Sequence, residues 1–131
     1  MTAAEFKNIV PKKKILIVDD EPDILKFVEW QLMVNGYDVV TAVNGTEGLK
    51  KAKEEKPDLI ILDVIMPLRE MNGVQMNEHL KKDEATKRIP VIFFTSTVEN
   101  TQMTDEQGTV MFPKSISSEK LLQQIKEMTS R

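Results

Sequence analysis

Five short, mostly apolar runs, separated by stretches with helical periodicity, constrain the fold of this 131-residue chain more than any other feature. The runs are 14–18 (KILIV), 37–42 (YDVVTA), 58–62 (DLIIL), 90–94 (PVIFF) and 109–112 (TVMF). Apolar runs of this length are typical of strands that are buried on both faces. Because helical segments connect them, we expect right-handed crossovers between parallel strands. The sequence therefore predicts an α/β fold with a five-stranded parallel sheet and helices on both faces.

The segments between and after these runs carry the spacing and the end signals of helices. The first helix begins at Pro22, which follows acidic residues, and Asn44 can cap the second helix. The third helix begins near Gly73, and either serine of the pair 117–118 can cap the last helix. The predicted inward-facing residues are Ile24, Phe27, Val28 and Leu32 in the first helix, Leu49 and Ala52 in the second, Val74 and Leu80 in the third, and Leu121, Leu122, Ile125 and Met128 in the last. Residues 96–108 are polar and weakly periodic, so we expect a short or irregular fourth helix there.

The composition restricts both the architecture and the chemistry. A chain of this length forms one domain, and we predict that it spans 12–131 after a tail or linker at 1–11. The lack of cysteine excludes disulfides, thiolate zinc sites and cysteine nucleophiles, and a single histidine, His79, excludes a histidine-rich metal centre. The net charge of −3 leaves no broad basic surface for nucleic acid. No apolar run approaches the ~20 residues of a membrane span, and no signal core begins the chain, so we expect a cytoplasmic protein without membrane insertion.

Polar residues follow four of the predicted strands at their carboxyl ends, where ligands bind in parallel sheets. They are Asp19 with Asp20, Asp63, Thr95 and Lys114. Alone, each has an ordinary explanation as a cap, a turn, a strand residue or a surface lysine. Together, three repelling carboxylates require a cation, and an all-oxygen ligand set suits Mg²⁺. A carboxylate beside this ion and a lysine can attack phosphorus, so the pattern predicts phosphoryl transfer to Asp63.

These same segments resemble the receiver domains of two-component response regulators, from about Lys13 to Met128. The resemblance rests on ILIVDDEPD (15–23), PDLIILDVIMP (57–67), IPVIFFTS (89–96) and FPKS (112–115). It implies a doubly wound, flavodoxin-like sheet in the order 2-1-3-4-5.

The resemblance also implies a role for each site residue. Asp19, Asp20 and Asp63 would bind Mg²⁺, with the backbone carbonyl of Ile65 as a further ligand. Asp63 would accept a phosphoryl group from a histidine kinase or a phosphotransfer protein. Thr95 would be the switch hydroxyl, Ser96 beside it would contact the phosphate, and Lys114 would pair with it. The new charge would then alter the face formed by the fourth helix, the fifth strand and the last helix, which would bind a downstream protein. The chain would assist its own phosphorylation and dephosphorylation without being an enzyme for other substrates.

Several departures from the family pattern affect the surroundings of the site. The loop 68–72 is about two residues longer than usual, with Asn72 where the family has an acidic residue. The stretch from Thr95 to Lys114 is about three residues shorter than in the chemotaxis receiver. Met111 takes the position of the usual switch aromatic, and Phe112 would point to the opposite side of the strand.

The residue after Lys114 is Ser115, where the family commonly has proline. Because a cis peptide before a residue other than proline costs ~3 kcal/mol, we expect a trans bond there.

Two other functions remain open. The chain could be a phosphorylation-independent interaction module that keeps the fold without the switch, as Met111 and Ser115 would suggest. It could also be a hydrolase or phosphotransferase for small phosphorylated molecules, although no segment is long enough to supply a substrate cap.

Overall fold

A computed structural model describes residues 12–64, 66, 71–95, 103–104 and 109–130, with the backbone alone for 103–104. The elements in chain order are β1 (Lys14–Val18), α1 (Pro22–Val34), β2 (Asp38–Ala42), α2 (Gly45–Glu55), β3 (Leu59–Asp63), α3 (Gly73–Lys82), β4 (Val91–Thr95), β5 (Met103–Thr104), β6 (Val110–Pro113) and α4 (Ser118–Thr129). The predicted tail at 1–11 lies outside the described residues. None of the helices within these described ranges is long and apolar enough to cross a membrane.

The sheet has the strand order β2-β1-β3-β4-β6-β5. The first five strands in this order are parallel, and they correspond to the predicted order 2-1-3-4-5, which is therefore confirmed. The sequence prediction missed β5, which pairs antiparallel with β6 at the edge of the sheet. A strand of two residues has no periodicity of its own and is defined only by its partner. The predicted fourth helix falls partly on this strand, and the rest of 96–108 lies outside the described residues.

Two apolar cores cover the two faces of the sheet, because successive side chains of a strand point to opposite faces. The α1/α4 core contains Ile15, Ile17, Leu25, Val28, Leu32, Leu59, Ile61, Ile92, Phe94, Phe112, Leu121 and Ile125. The α2/α3 core contains Leu16, Val18, Ala42, Ala52, Ile60, Leu62, Met66, Met76, Leu80, Val91 and Phe93. The sheet is therefore doubly wound: within the described ranges, α1 and α4 cover one face, and α2 and α3 cover the other.

The inward faces of two helices differ from the prediction. Phe27 in α1 is 56% exposed, and Leu25 is buried in its place. Val74 in α3 is 44% exposed, and Met76 is buried. Both helices carry apolar residues on more than one face, so the spacing did not identify which stripe packs against the sheet.

The helix ends follow their sequence signals. Pro22 begins α1, and Asn44 caps α2 by accepting a hydrogen bond from the Glu47 N–H at 2.8 Å. Ser117 caps α4 through the Lys120 N–H at 3.3 Å. These caps fix where each helix starts relative to the strand before it.

Candidate functional site

The carboxyl ends of β1, β3, β4 and β6 bring the predicted polar residues together. Asp19 follows β1, Asp63 ends β3, Thr95 ends β4, and Lys114 follows β6. The strands are neighbours in register, with Val18 beside Leu62, Asp63 beside Phe94 and Thr95 beside Pro113. The convergence predicted from the strand ends is therefore present.

The ammonium group of Lys114 lies at the centre of this cluster. Its Nζ is 3.0 Å from Asp19 Oδ2 and 3.3 Å from Asp63 Oδ2. A third carboxylate oxygen, Glu21 Oε1, is closer still at 2.6 Å. The side chains of Lys114, Asp19 and Asp63 are 9%, 2% and 2% exposed, so their contacts are largely shielded from water, whereas the Glu21 side chain is 55% exposed. The peptide bond between Lys114 and Ser115 is trans, as expected because Ser115 replaces the usual proline. Lys114 contacts Asp63 with this trans bond.

Asp19 is held by its backbone and by one of its two carboxylate oxygens. Its N–H donates to the carbonyl of Ala42 at 3.1 Å, and its Oδ1 accepts from the Glu21 N–H at 2.9 Å. Its Oδ2 is buried, makes no hydrogen bond of good geometry and is paired with the Lys114 ammonium at 3.0 Å. Lys114 divides its single charge among Asp19, Glu21 and Asp63, so a second cation would offset the remaining negative charge.

Burial and neighbouring charges shift the pKa values of Asp19 and Lys114. Burial raises the pKa of the Asp19 carboxyl, although the Glu21 N–H and Lys114 oppose this change. Burial by itself would lower the pKa of Lys114, but Glu21, Asp19 and Asp63 together outweigh it and raise that pKa. Lys114 is therefore a fixed positive charge near neutral pH, beside carboxylates that lack enough positive charge to balance them.

The residues present fit a hard divalent cation. Asp19, Asp20, Glu21 and Asp63 each offer a carboxylate oxygen, and these oxygens lie within 4.8 Å of one another. The buried Asp19 Oδ2, which shares the Lys114 charge with two other carboxylates, is a ligand atom of the kind that Mg²⁺ prefers. Ile65, whose carbonyl was predicted as a further ligand, lies outside the described residues.

Sequence reasoning missed Glu21 as part of the site. Its position next to Asp19 and Asp20 was a possible signal, but it was interpreted only as part of a helix start. Glu21 is the N-cap residue of α1, yet its side chain makes no capping hydrogen bond and contacts Lys114 instead.

Thr95 is completely buried at the end of β4, and its carbonyl accepts a hydrogen bond from the Lys114 N–H at 2.8 Å. The two residues are therefore linked through the backbone across neighbouring strands. Ser96, the predicted phosphate contact, lies outside the described residues.

The neighbouring strand β6 carries the altered switch position. Met111 packs on the α2/α3 core, whereas Phe112 is buried in the α1/α4 core. The expectation that Phe112 points away from the side of Met111 agrees with this packing.

A cavity of about 340 Å³ lies at the other end of the sheet. Its lining residues are Lys13, Asp58, Arg88, Pro90, Met128 and Thr129. Lys13, Asp58 and Pro90 precede strands at their amino ends, so this cavity does not adjoin Asp63.

Comparisons with known proteins identify the family. The family model for the response regulator receiver domain matches residues 15–126. The alkaline phosphatase synthesis transcriptional regulatory protein PhoP of Bacillus subtilis (strain 168) is 43% identical over 84 residues, which are 64% of this chain and 33% of that protein. This match thus spans about a third of the regulator.

Two further similarities cover a larger share of the matched protein. Protein PilH of Pseudomonas aeruginosa is 40% identical over 88 residues, or 67% of this chain and 71% of that protein. The structure of the chemotaxis protein CheY4 of Vibrio cholerae has a TM-score of 0.76 and 28% identity, covering 90% of this chain and 99% of that chain. The chain belongs to the response regulator receiver domain family, whose members serve phosphorylation-based signalling in two-component systems.

Proposed function

We propose that this receiver domain accepts a phosphoryl group on Asp63 from a histidine kinase or a phosphotransfer protein. The observation that carries the proposal is the Lys114 ammonium, which contacts the buried carboxylates of Asp19 and Asp63 at the same time. A nucleophilic carboxylate next to a fixed positive charge is the arrangement that phosphoryl transfer requires.

In the proposed reaction, a carboxylate oxygen of Asp63 attacks phosphorus in line with the donor's histidine. The new O–P bond forms while the P–N bond breaks, and the imidazole nitrogen keeps the electron pair. Because the other ring nitrogen carries a proton, neutral imidazole leaves. Lys114 offsets negative charge on the transferred group, and Thr95 supplies a hydroxyl that moves toward it.

Asp19, Asp20 and Asp63 would hold Mg²⁺, with the carbonyl of Ile65 as a further ligand. When bound, this ion neutralises part of the charge on the phosphoryl oxygens. The surplus of carboxylates over the single Lys114 charge supports this assignment, because clustered like charges need a cation.

The proposed output is a change in partner binding. The phosphoryl charge on Asp63 would draw in Thr95 and Lys114 and alter the face that includes β6 and α4. That face would bind a downstream protein and not nucleic acid. The chain would act in the cytoplasm, as a phosphoacceptor that assists its own transfer and loss of the phosphoryl group and has no separate enzymatic substrate.

A second candidate is a phosphorylation-independent interaction module, which Met111 favours. Its side chain packs against the α2/α3 core, in the position where the family has an aromatic that takes part in the switch. The fold and the acidic cluster would then serve binding alone.

The test is intact-protein mass after incubation with acetyl phosphate and Mg²⁺. We expect one added phosphoryl group in the native chain and in the control Asp38→Asn, whose carboxylate lies at the opposite end of the sheet. We expect none in Asp63→Asn or without Mg²⁺. A folded native chain that neither gains this mass nor binds Mg²⁺ in a titration would favour the interaction module.

A further inference from the structure

Glu21 contacts Lys114, the residue that would also contact the proposed phosphoryl group. Its Oε1 makes the shortest of the three carboxylate contacts to Lys114 Nζ, at 2.6 Å. Of the three carboxylates, Glu21 alone is well exposed, at 55% of its side chain, whereas Asp19 and Asp63 are each 2% exposed. Glu21 is therefore the partner that can leave for water without disturbing the core.

The local backbone prepares Glu21 for this contact. Pro22 restricts the residue before it to extended conformations, and Glu21 has φ −96° and ψ 109°. The Glu21 N–H donates to Asp19 Oδ1 at 2.9 Å, which ties its backbone to the buried carboxylate. The side chain is thus placed against Lys114 by two constraints that do not involve its own carboxylate.

The donor capacity of the ammonium limits what it can bind. A lysine ammonium has three N–H donors, and three carboxylate oxygens surround Lys114 Nζ, at 2.6 Å (Glu21), 3.0 Å (Asp19) and 3.3 Å (Asp63). A phosphoryl oxygen added beside Asp63 would have to share this ammonium with them. Asp19 is fixed by burial and Asp63 carries the new group, so the contact to Glu21 is the one that can be exchanged.

We infer that Glu21 positions Lys114 in the unphosphorylated domain and competes with the phosphoryl group for the Lys114 ammonium. This inference rests on the proposed function. Glu21 releases Lys114 when the phosphoryl group forms, so removing the Glu21 charge favours the phosphorylated state. The competing assignment makes Glu21 a fourth carboxylate ligand of Mg²⁺, since its carboxylate belongs to the same oxygen cluster.

The test compares Glu21→Gln with the matched control Asp23→Asn. Both variants remove one negative charge from the first turn region of α1, but Asp23 is exposed and lies two residues farther along the chain. Because Glu21 makes no capping hydrogen bond, its replacement leaves the helix start intact. We expect Glu21→Gln to bind beryllofluoride, a phosphoryl mimic, about two- to fivefold more tightly at saturating Mg²⁺. Phosphorylation by acetyl phosphate should accelerate by a similar factor, with a smaller change in Asp23→Asn.

Two further measurements distinguish a failure of the Glu21 inference from a failure of the proposed function. In the ligand-free protein, the ¹⁵N resonance of Lys114 Nζ should shift in Glu21→Gln but not in Asp23→Asn. This result does not depend on whether Asp63 can be phosphorylated. Calorimetric titration should show equal Mg²⁺ affinity for the two variants. Weaker Mg²⁺ binding by Glu21→Gln alone would make Glu21 a metal ligand and overturn the inference. Unchanged beryllofluoride affinity would also overturn it, whereas a native chain that binds no beryllofluoride would refute the proposed function as well.

Discussion

Gly73 begins α3 directly against the end of the strand that carries Asp63. A Cβ at this position would lie 2.0 Å from the Asp63 carbonyl oxygen and 2.9 Å from Val64 Cα. The Gly73 N–H also donates to the Val64 carbonyl at 3.1 Å. Glycine is therefore required here by the close approach of two backbones, although helix propensity alone would favour alanine.

We predict that Gly73→Ala destabilises the domain by about 2 kcal/mol, since backbone atoms must move to admit the methyl group. Urea denaturation measures this loss, and Glu78→Ala, an exposed position in the same helix, is the control. A stabilised Gly73→Ala protein would show that α3 can shift away from β3 without cost.

Asp19 links the site to the pH dependence of stability. Burial is the main cause that raises the pKa of this carboxyl above its ordinary value of 3.8. The folded state then binds a proton at Asp19 more tightly than the unfolded chain does. The contribution of Asp19 to stability therefore falls as the pH rises from about 3.8 through the raised pKa.

We predict that Asp19→Asn is more stable than the native chain by about 1 kcal/mol at pH 7 in metal-free buffer. The amide removes a buried charge, while Lys114 keeps Glu21 and Asp63 as partners. The difference should shrink toward pH 4, which a series of urea denaturations can follow. A less stable variant at pH 7 would mean that the attraction to Lys114 exceeds the cost of burying the carboxylate.

The start of α3 shows how a departure from the family pattern is accommodated at the level of an element. Asn72 accepts a hydrogen bond from the Gln75 N–H at 2.9 Å, and Gln75 Oε1 accepts from the Asn72 N–H at 3.0 Å. This reciprocal capping box satisfies two helix-end donors. Asn72 thus performs a capping function that an acidic residue could also perform.

We predict that Asn72→Ala costs about 1 kcal/mol and that Asn72→Asp costs little, because aspartate caps as well as asparagine does. Thermal unfolding of the two variants compares them directly. Equal losses in both would show that the amide nitrogen, and not the cap, is what the position needs.

Helix α1 has an exposed apolar side as well as a buried one. Phe27, Trp30, Met33 and Val34 are between 56% and 64% exposed, whereas Leu32 is completely buried. We predict that Leu32→Ala costs about 3 kcal/mol and Trp30→Ala less than about 0.5 kcal/mol. Denaturant unfolding measures both values. A large loss from Trp30→Ala would mean that another part of the chain covers this side of α1 in solution.

At the scale of the whole molecule, stability should depend on the cation that the acidic cluster fits. A ligand that binds only the folded state at a hundred times its Kd adds about 2.7 kcal/mol. We predict such a gain for the native chain with Mg²⁺ and a smaller one for Asp20→Asn, with Asp38→Asn as the control. Thermal unfolding with and without Mg²⁺ tests this. Equal gains in all three proteins would place the bound ion elsewhere.

Much of the molecule was predictable because its signals are local. Each parallel strand is an apolar run, and Asn44, Pro22 and Ser117 mark helix ends within a few residues. The ends of parallel strands must meet at one edge, so Asp19, Asp63 and Lys114 could be grouped without coordinates. The roles of Thr95, Ser96 and Ile65 in phosphoryl transfer remain predictions.

The sequence by itself determined the fold class and the grouping of Asp19 and Asp20 with Asp63, and its resemblance to receiver domains implied the order of the parallel strands. The tertiary structure alone decided which side of α1 and α3 is buried, where β5 pairs, and why Gly73 tolerates no side chain. It also brought Glu21 against Lys114, 93 positions away along the chain. The physical reason is that periodicity and caps act within a few residues, whereas contacts between distant residues exist only after the elements have packed.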